Sequence, residues 1–153
     1  MPPLQMAAVL GPFLLAGGLA LPASGQAPMR PQQIDVVAND YAFSPLPAQI
    51  AAGPTVFTFA NKGSVQHEMS IGRLRYGATL EDLLKVSKEG GRMRDLMERS
   101  VGILIAGGGK SPDGRLLVDL LPGQTYVLLC NLKDRPDAPP HMTLGMYTSF
   151  LPQ

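Results

Sequence analysis

Tryptophan is absent from this 153-residue chain, histidine occurs twice and cysteine once. Only 6% of the residues are aromatic, too few for the stacking platforms that bind single-stranded nucleic acid. Thirteen basic and twelve acidic side chains leave a net charge of +1, so no basic face points to nucleic acid as a partner. A single cysteine excludes an intramolecular disulfide. The glycine-rich Gly107-Gly108-Gly109-Lys110-Ser111 lacks the earlier glycine of a phosphate loop, because Leu104 stands there, and Pro112 follows where the helix of such a motif would begin. His67-Glu68 is followed by Ile71 where a zinc-protease helix needs its second histidine.

The first 27 residues lack Lys, Arg, Asp, Glu, His and Cys altogether. Met6 to Leu21 is almost wholly apolar, Pro22 to Ala27 is small and helix-breaking, and Gly25-Gln26-Ala27 suits signal peptidase. Residues 1–27 therefore read as a secretory signal peptide, with export to a periplasm or the cell exterior. The alternative is an uncleaved anchor, but the run falls short of the roughly 20 residues of a spanning helix and is broken by Gly11, Pro12, Gly17 and Gly18. Cleavage leaves residues 28–153, enough for one sandwich-sized core and with no further membrane segment expected. In an exported chain, one leftover thiol calls for an explanation.

The rest of the chain shows short strands punctuated by proline and glycine. Strands are expected at 34–38, 55–60, 66–71, 115–120, 125–130 and 147–151, with a further extended piece at 47–50. Val56, Thr58 and Ala60 share one face of their strand, and Phe57 and Phe59 the other. Tyr126, Leu128 and Cys130 likewise lie on one face. Between about 79 and 99 the period becomes helical: Thr79 and Asp82 form a capping box, followed by Leu80, Leu83 and Leu84. Gly90-Gly91 breaks that helix, and Met93, Leu96, Met97 and Val101 predict a second one, both packed on one side of the sheet. The fold class is all-β, a two-sheet sandwich with a short helical insertion.

Two histidines, one cysteine and a nearby methionine form a coherent donor set. Taken singly, each has an ordinary role, since Met usually fills core and Cys is often simply buried. Together, two imidazoles, a thiolate and a weak axial thioether compose a blue-copper electron-transfer site. Imidazole suits Cu(II) and sulfur suits Cu(I), so both oxidation states are accommodated. Cys130 ends one strand, His141 and Met146 follow on a loop, and His67 reaches across from a neighbouring strand.

The sequence Tyr126-Val-Leu-Leu-Cys130 followed by Pro139-Pro140-His141-Met-Thr-Leu-Gly145-Met146 resembles the signature of the cupredoxins, the blue (type 1) copper proteins of the plastocyanin and azurin kind. Asp40-Tyr41-Ala-Phe43-Ser-Pro45, Ala52-Gly53-Pro54 and Asn61-Lys-Gly63…His67-Glu68 extend the resemblance, which covers about residues 34–72 and 115–151. It implies a cupredoxin-like Greek-key β-sandwich holding one type 1 copper through His67, Cys130, His141 and Met146, with Met142 the competing axial candidate. It also implies a monomeric electron carrier between redox partner proteins, with electrons passing through an exposed edge of His141. Ala138, Pro139 and Pro140 would form the docking face, rimmed by Asp134, Arg135 and Asp137. The loop from Cys130 to His141 is longer than in plastocyanin or azurin, and Pro140 stands where the family has glycine.

Other functions compete with electron carriage. A multicopper enzyme needs a second, histidine-rich centre, and both histidines are already committed; no enzymatic activity is expected. A Cu(I) carrier or sensor would exploit Met69, Met142 and Met146, whereas Met93 and Met97 fit core. A metal-free interaction module on the same scaffold would have no use for all four donors.

Overall fold

The computed structural model describes residues 30–153; the signal peptide assigned to 1–27 lies outside the described residues. Alternation builds the first sheet. In β1 (Gln32–Asn39) Ile34, Val36 and Ala38 point inward, and in β3 (Gly53–Asn61) Thr55, Phe57, Phe59 and Asn61 do. These two strands run parallel. The short β2 (Ala42–Phe43) and β6 (Leu116–Leu120) flank them, giving the order β2-β1-β3-β6.

The second sheet has the order β5-β4-β7-β8 and is antiparallel throughout. Its strands are β4 (His67–Leu74), β5 (Met97–Ala106), β7 (Tyr126–Leu129) and β8 (Tyr147–Phe150). The central strands β4 and β7 are buried almost along their whole length, as expected of strands covered on both faces. Phe57, Phe59, Met69, Ile71, Val118 and Leu128 close the space between the sheets. The Tyr126 ring stacks on Phe150 with centroids 5.5 Å apart, and its hydroxyl accepts the Leu121 amide at 3.0 Å. The all-β sandwich read from the sequence is the architecture observed.

The outer face of the second sheet carries α1 (Leu80–Lys88). Thr79 Oγ1 accepts the Asp82 amide at 3.1 Å while the Asp82 carboxylate accepts the Thr79 amide at 2.9 Å, a closed capping box. Leu83 is fully buried in a cluster with Leu74, Val127, Leu129 and Met142. This helix presses on the segment that follows His141.

Two expected elements differ from those observed. The second helix shrinks to a single 3-10 turn, Met93–Asp95, and Met97 and Val101 belong to β5. The helical spacing of these residues is outweighed by the pairing of Gly102-Ile103-Leu104-Ile105 along β4, where the β-branched Ile103 and Ile105 suit a pleated surface. Residues 47–50 form no strand. They are anchored instead through Ile50, which is buried and accepts the Gln153 amide at 3.0 Å. Among the described residues no helix is long and apolar enough to cross a membrane.

Candidate metal centre

Four chain segments converge at one end of the sandwich. His67 opens β4, directly after the Asn61–Gln66 turn. Asn61 is buried in that turn and shapes it: its side-chain amide donates to Val65 O and Ala106 O at 2.8 and 3.0 Å, and its Oδ1 accepts the Gly63 amide. Cys130 follows the last residue of β7. His141 begins a 3-10 turn, His141–Leu144, and Met146 sits between that turn and β8.

Backbone bonds tie the long loop to its own roots. The Cys130 amide donates to Met146 O, the Met142 amide to Cys130 O, and the His141 amide to Leu132 O, at 3.1, 2.7 and 2.9 Å. Pro140 is extended at φ −61 and ψ 143 and starts the turn. Gly145 ends it at φ 114, a conformation that side-chain-bearing residues rarely adopt. The middle of the loop, residues 133–137, is exposed, while these bonds hold its two ends.

Three of the four expected donors meet. His67 Nδ1 lies 3.1 Å from His141 Nδ1, and Cys130 Sγ lies 3.4 Å from His141 Nδ1 and 4.0 Å from His67 Nδ1. All three side chains are buried. A point equidistant from the corners of that triangle lies about 2.1 Å from each (the product of the sides divided by four times the area). Metal–nitrogen bonds of about 2.0–2.1 Å and metal–sulfur bonds of about 2.3 Å are typical of tightly held d-block ions such as zinc. The triangle therefore has the size that a metal ion held by all three donors would require.

Met146 and Met142 occupy different surroundings. Both are fully buried, but Met146 packs in the cluster that contains Cys130, while Met142 belongs to the cluster under α1. The Ser87 hydroxyl lies 3.6 Å from the Met142 sulfur, so that thioether is already engaged by the helix.

The surroundings polarise each donor. Burial pushes the Cys130 thiol above its ordinary pKa, opposed by the amides of Glu68 and Leu132; the Glu68 amide reaches Sγ at 3.3 Å. Glu68 is nearly buried, and its carboxylate accepts the Asn131 amide at 2.8 Å, bracing the backbone beside the cysteine. Burial likewise holds His67 below the usual histidine range. His141 Nε2 meets Asp134 Oδ1 at 3.1 Å, and His67 Nε2 lies 3.5 Å from Asp40 Oδ1. The latter separation is long, and His67 Nε2 has no well-formed hydrogen bond.

The Asp134 carboxylate at His141 Nε2 favours the tautomer that carries the ring proton there, leaving the His141 Nδ1 lone pair directed into the cluster. That lone pair faces His67 Nδ1 across 3.1 Å, with the Cys130 sulfur alongside. Two imidazole nitrogens and one sulfur, converging with no other partner for the His141 lone pair among the described residues than this cluster, fit a metal by donor chemistry as well as by size.

One expectation is corrected. His141 has no exposed edge, being only 1% accessible. The Tyr41 ring packs edge-on against it with centroids 5.1 Å apart, and the Tyr41 hydroxyl donates to Asp134 at 2.6 Å. Sequence reasoning placed Asp134 on a polar rim and missed its contact with His141. Tyr41 and Glu68 appeared only as parts of a resemblance, and nothing in the spacing marked them as neighbours of the donors.

The two-sheet sandwich is similar to several solved structures. The solved structures it resembles include a dithionite-reduced auracyanin from the photosynthetic bacterium Roseiflexus castenholzii, at 17% identity and a TM-score of 0.53 over 80% of this chain and 97% of the other. Auracyanin B gives 16% and 0.54 over 83% and 93%. Auracyanin A, a "blue" copper protein from Chloroflexus aurantiacus, gives 16% and 0.53 over 81% and 100%. At this identity the likeness establishes the cupredoxin fold. No protein-family model matches the chain, and no curated protein matches it in sequence.

Proposed function

We propose that this protein is an exported blue copper protein that binds one copper ion and carries single electrons between redox partners. The observation that carries the reading is the mutual approach of His67 Nδ1, His141 Nδ1 and Cys130 Sγ within 4.0 Å in a buried setting. These three would hold the ion, and Met146, buried in the same cluster as Cys130, would supply a weaker thioether donor. Copper supplies a one-electron Cu(II)/Cu(I) couple there. The chain's own contribution is to keep the donors fixed in both states. The loop bonds around Cys130 and Met146, the buried Asn61 and the Glu68–Asn131 bond all restrain donor positions, and a site that need not rearrange exchanges electrons readily.

The reading is of a carrier and not an enzyme, since the donors are enclosed by protein and both histidines are engaged in one cluster. The protein belongs, on this reading, in a periplasm or outside the cell, acting alone as a monomer. With His141 covered, a partner would meet the Tyr41–Asp134 surface and the neighbouring Pro139 and Leu144, both exposed. An apolar patch with a few charges suits brief encounters.

Cyclic voltammetry of the copper-loaded protein tests the carrier role. A reversible one-electron couple without loss of metal is expected; loss of copper on reduction would turn the reading toward copper delivery. The same measurement separates the two methionines. Met146→Leu is expected to raise the reduction potential, because losing a fourth contact leaves a three-donor site that Cu(I) tolerates better than Cu(II), and to raise it more than Met142→Leu does. The reverse order would transfer the axial role to Met142.

A further inference from the structure

The turn between β1 and β2 reaches over the donor cluster in a conformation that needs explanation. Tyr41 has φ 58, the one positive value among the described non-glycine residues, and strain of this kind persists only where surrounding contacts impose it. Two sets of contacts impose it here. The Asp40 carboxylate accepts the Ser64 amide and hydroxyl at 2.7 and 2.8 Å. The Tyr41 hydroxyl donates to Asp134, 93 residues away along the chain. Adjacent residues of one strained turn thereby address both imidazoles. Asp40 stands at the outer edge of His67, and Tyr41 holds the carboxylate that stands at the outer edge of His141.

We infer that Asp40, Tyr41 and Asp134 form a clasp over the two imidazoles: Asp134, held by Tyr41, fixes His141 as the Nε2–H tautomer with Nδ1 aimed at the metal and closes the His141 edge, while Asp40 places its charge beside His67. The inference rests on the copper reading and extends it. Asp134 and Tyr41 are positioning residues: neither offers an atom to the metal. Carboxylates that orient metal-bound histidines raise the basicity of the ring and are commonly worth about 10–100-fold in metal affinity. Their negative charge also favours the more highly charged Cu(II), so the clasp lowers the reduction potential. The covalent chain from β1 through Tyr41 thus reaches the site without contributing a ligand.

The test compares wild type, Asp134→Asn and Tyr41→Phe, each titrated with Cu(II) and then examined by voltammetry. Asparagine keeps an acceptor for Nε2–H but removes the charge; phenylalanine keeps the ring but releases Asp134. Both variants are expected to retain the sulfur-to-copper absorption band. Asp134→Asn is expected to bind Cu(II) about tenfold or more weakly and to show a raised potential, and Tyr41→Phe to shift both in the same direction by less. Thermal unfolding of the copper-free forms confirms that each variant is folded, and Asp134→Ala replaces any that is not. Coloured variants with wild-type affinity and potential would overturn the clasp while leaving the copper reading intact. A colourless wild type would overturn the copper reading itself.

Discussion

Replacing Cys130 with alanine is expected to abolish the intense visible absorption of the copper-loaded protein completely. The colour of such a site arises from charge transfer out of a thiolate, and this chain has one sulfur of that kind. Methionine thioethers remain nearby in the variant, but they are neutral and weak donors. Burial keeps the Cys130 proton in place in the copper-free protein, so metal uptake must displace it. The variant has no such proton to release. Absorption spectroscopy during copper addition checks this outcome, and Cys130→Ala retaining the wild-type band would assign the colour to another group. Because Cys130 also fills the end of the core with zero exposure, the copper-free variant's unfolding should be measured in parallel to show that the fold survives.

The second large effect concerns the scaffold. Phe57→Ala is expected to destabilise the copper-free protein by about 3–5 kcal/mol, the usual cost of emptying a buried aromatic site. Phe57 is fully buried at the middle of β3, and its ring lies 6.0 Å from Phe150 in the opposite sheet. Its removal takes away a contact that joins the two layers. Small domains have only about 5–15 kcal/mol of stability in total, so the loss is large. Equilibrium denaturation with a shifted midpoint and an unchanged slope would confirm it. A loss below about 1 kcal/mol would mean that the core closes over the vacancy, contrary to the packing described.

Much of this architecture can be read along the chain, for reasons that differ between elements. Strands with a strict two-residue period, such as Thr55 to Asn61, announce both their type and their buried face. The capping box at Thr79 and Asp82 marks the start of α1 with equal clarity. The stretch from Met93 to Val101 misleads because methionine and leucine at helical spacing also satisfy a strand edge, and only the long-range pairing of β5 with β4 decides between them. The donors stand out for the opposite reason, rarity: a chain with two histidines and one cysteine offers few ways to build a cluster. Asp134 and Tyr41 have many equivalents of their type, and their contact spans 93 residues. No local pattern encodes such a meeting. The covered edge of His141 follows from that contact, which the family resemblance, implying an open edge, does not carry.

The most direct measurement is a copper titration of the purified protein, followed by visible absorption. A strong band that grows linearly and stops at one copper per chain is expected from two imidazole nitrogens and a thiolate sharing a single ion. A colourless complex, or a band that saturates at any other ratio, would contradict it.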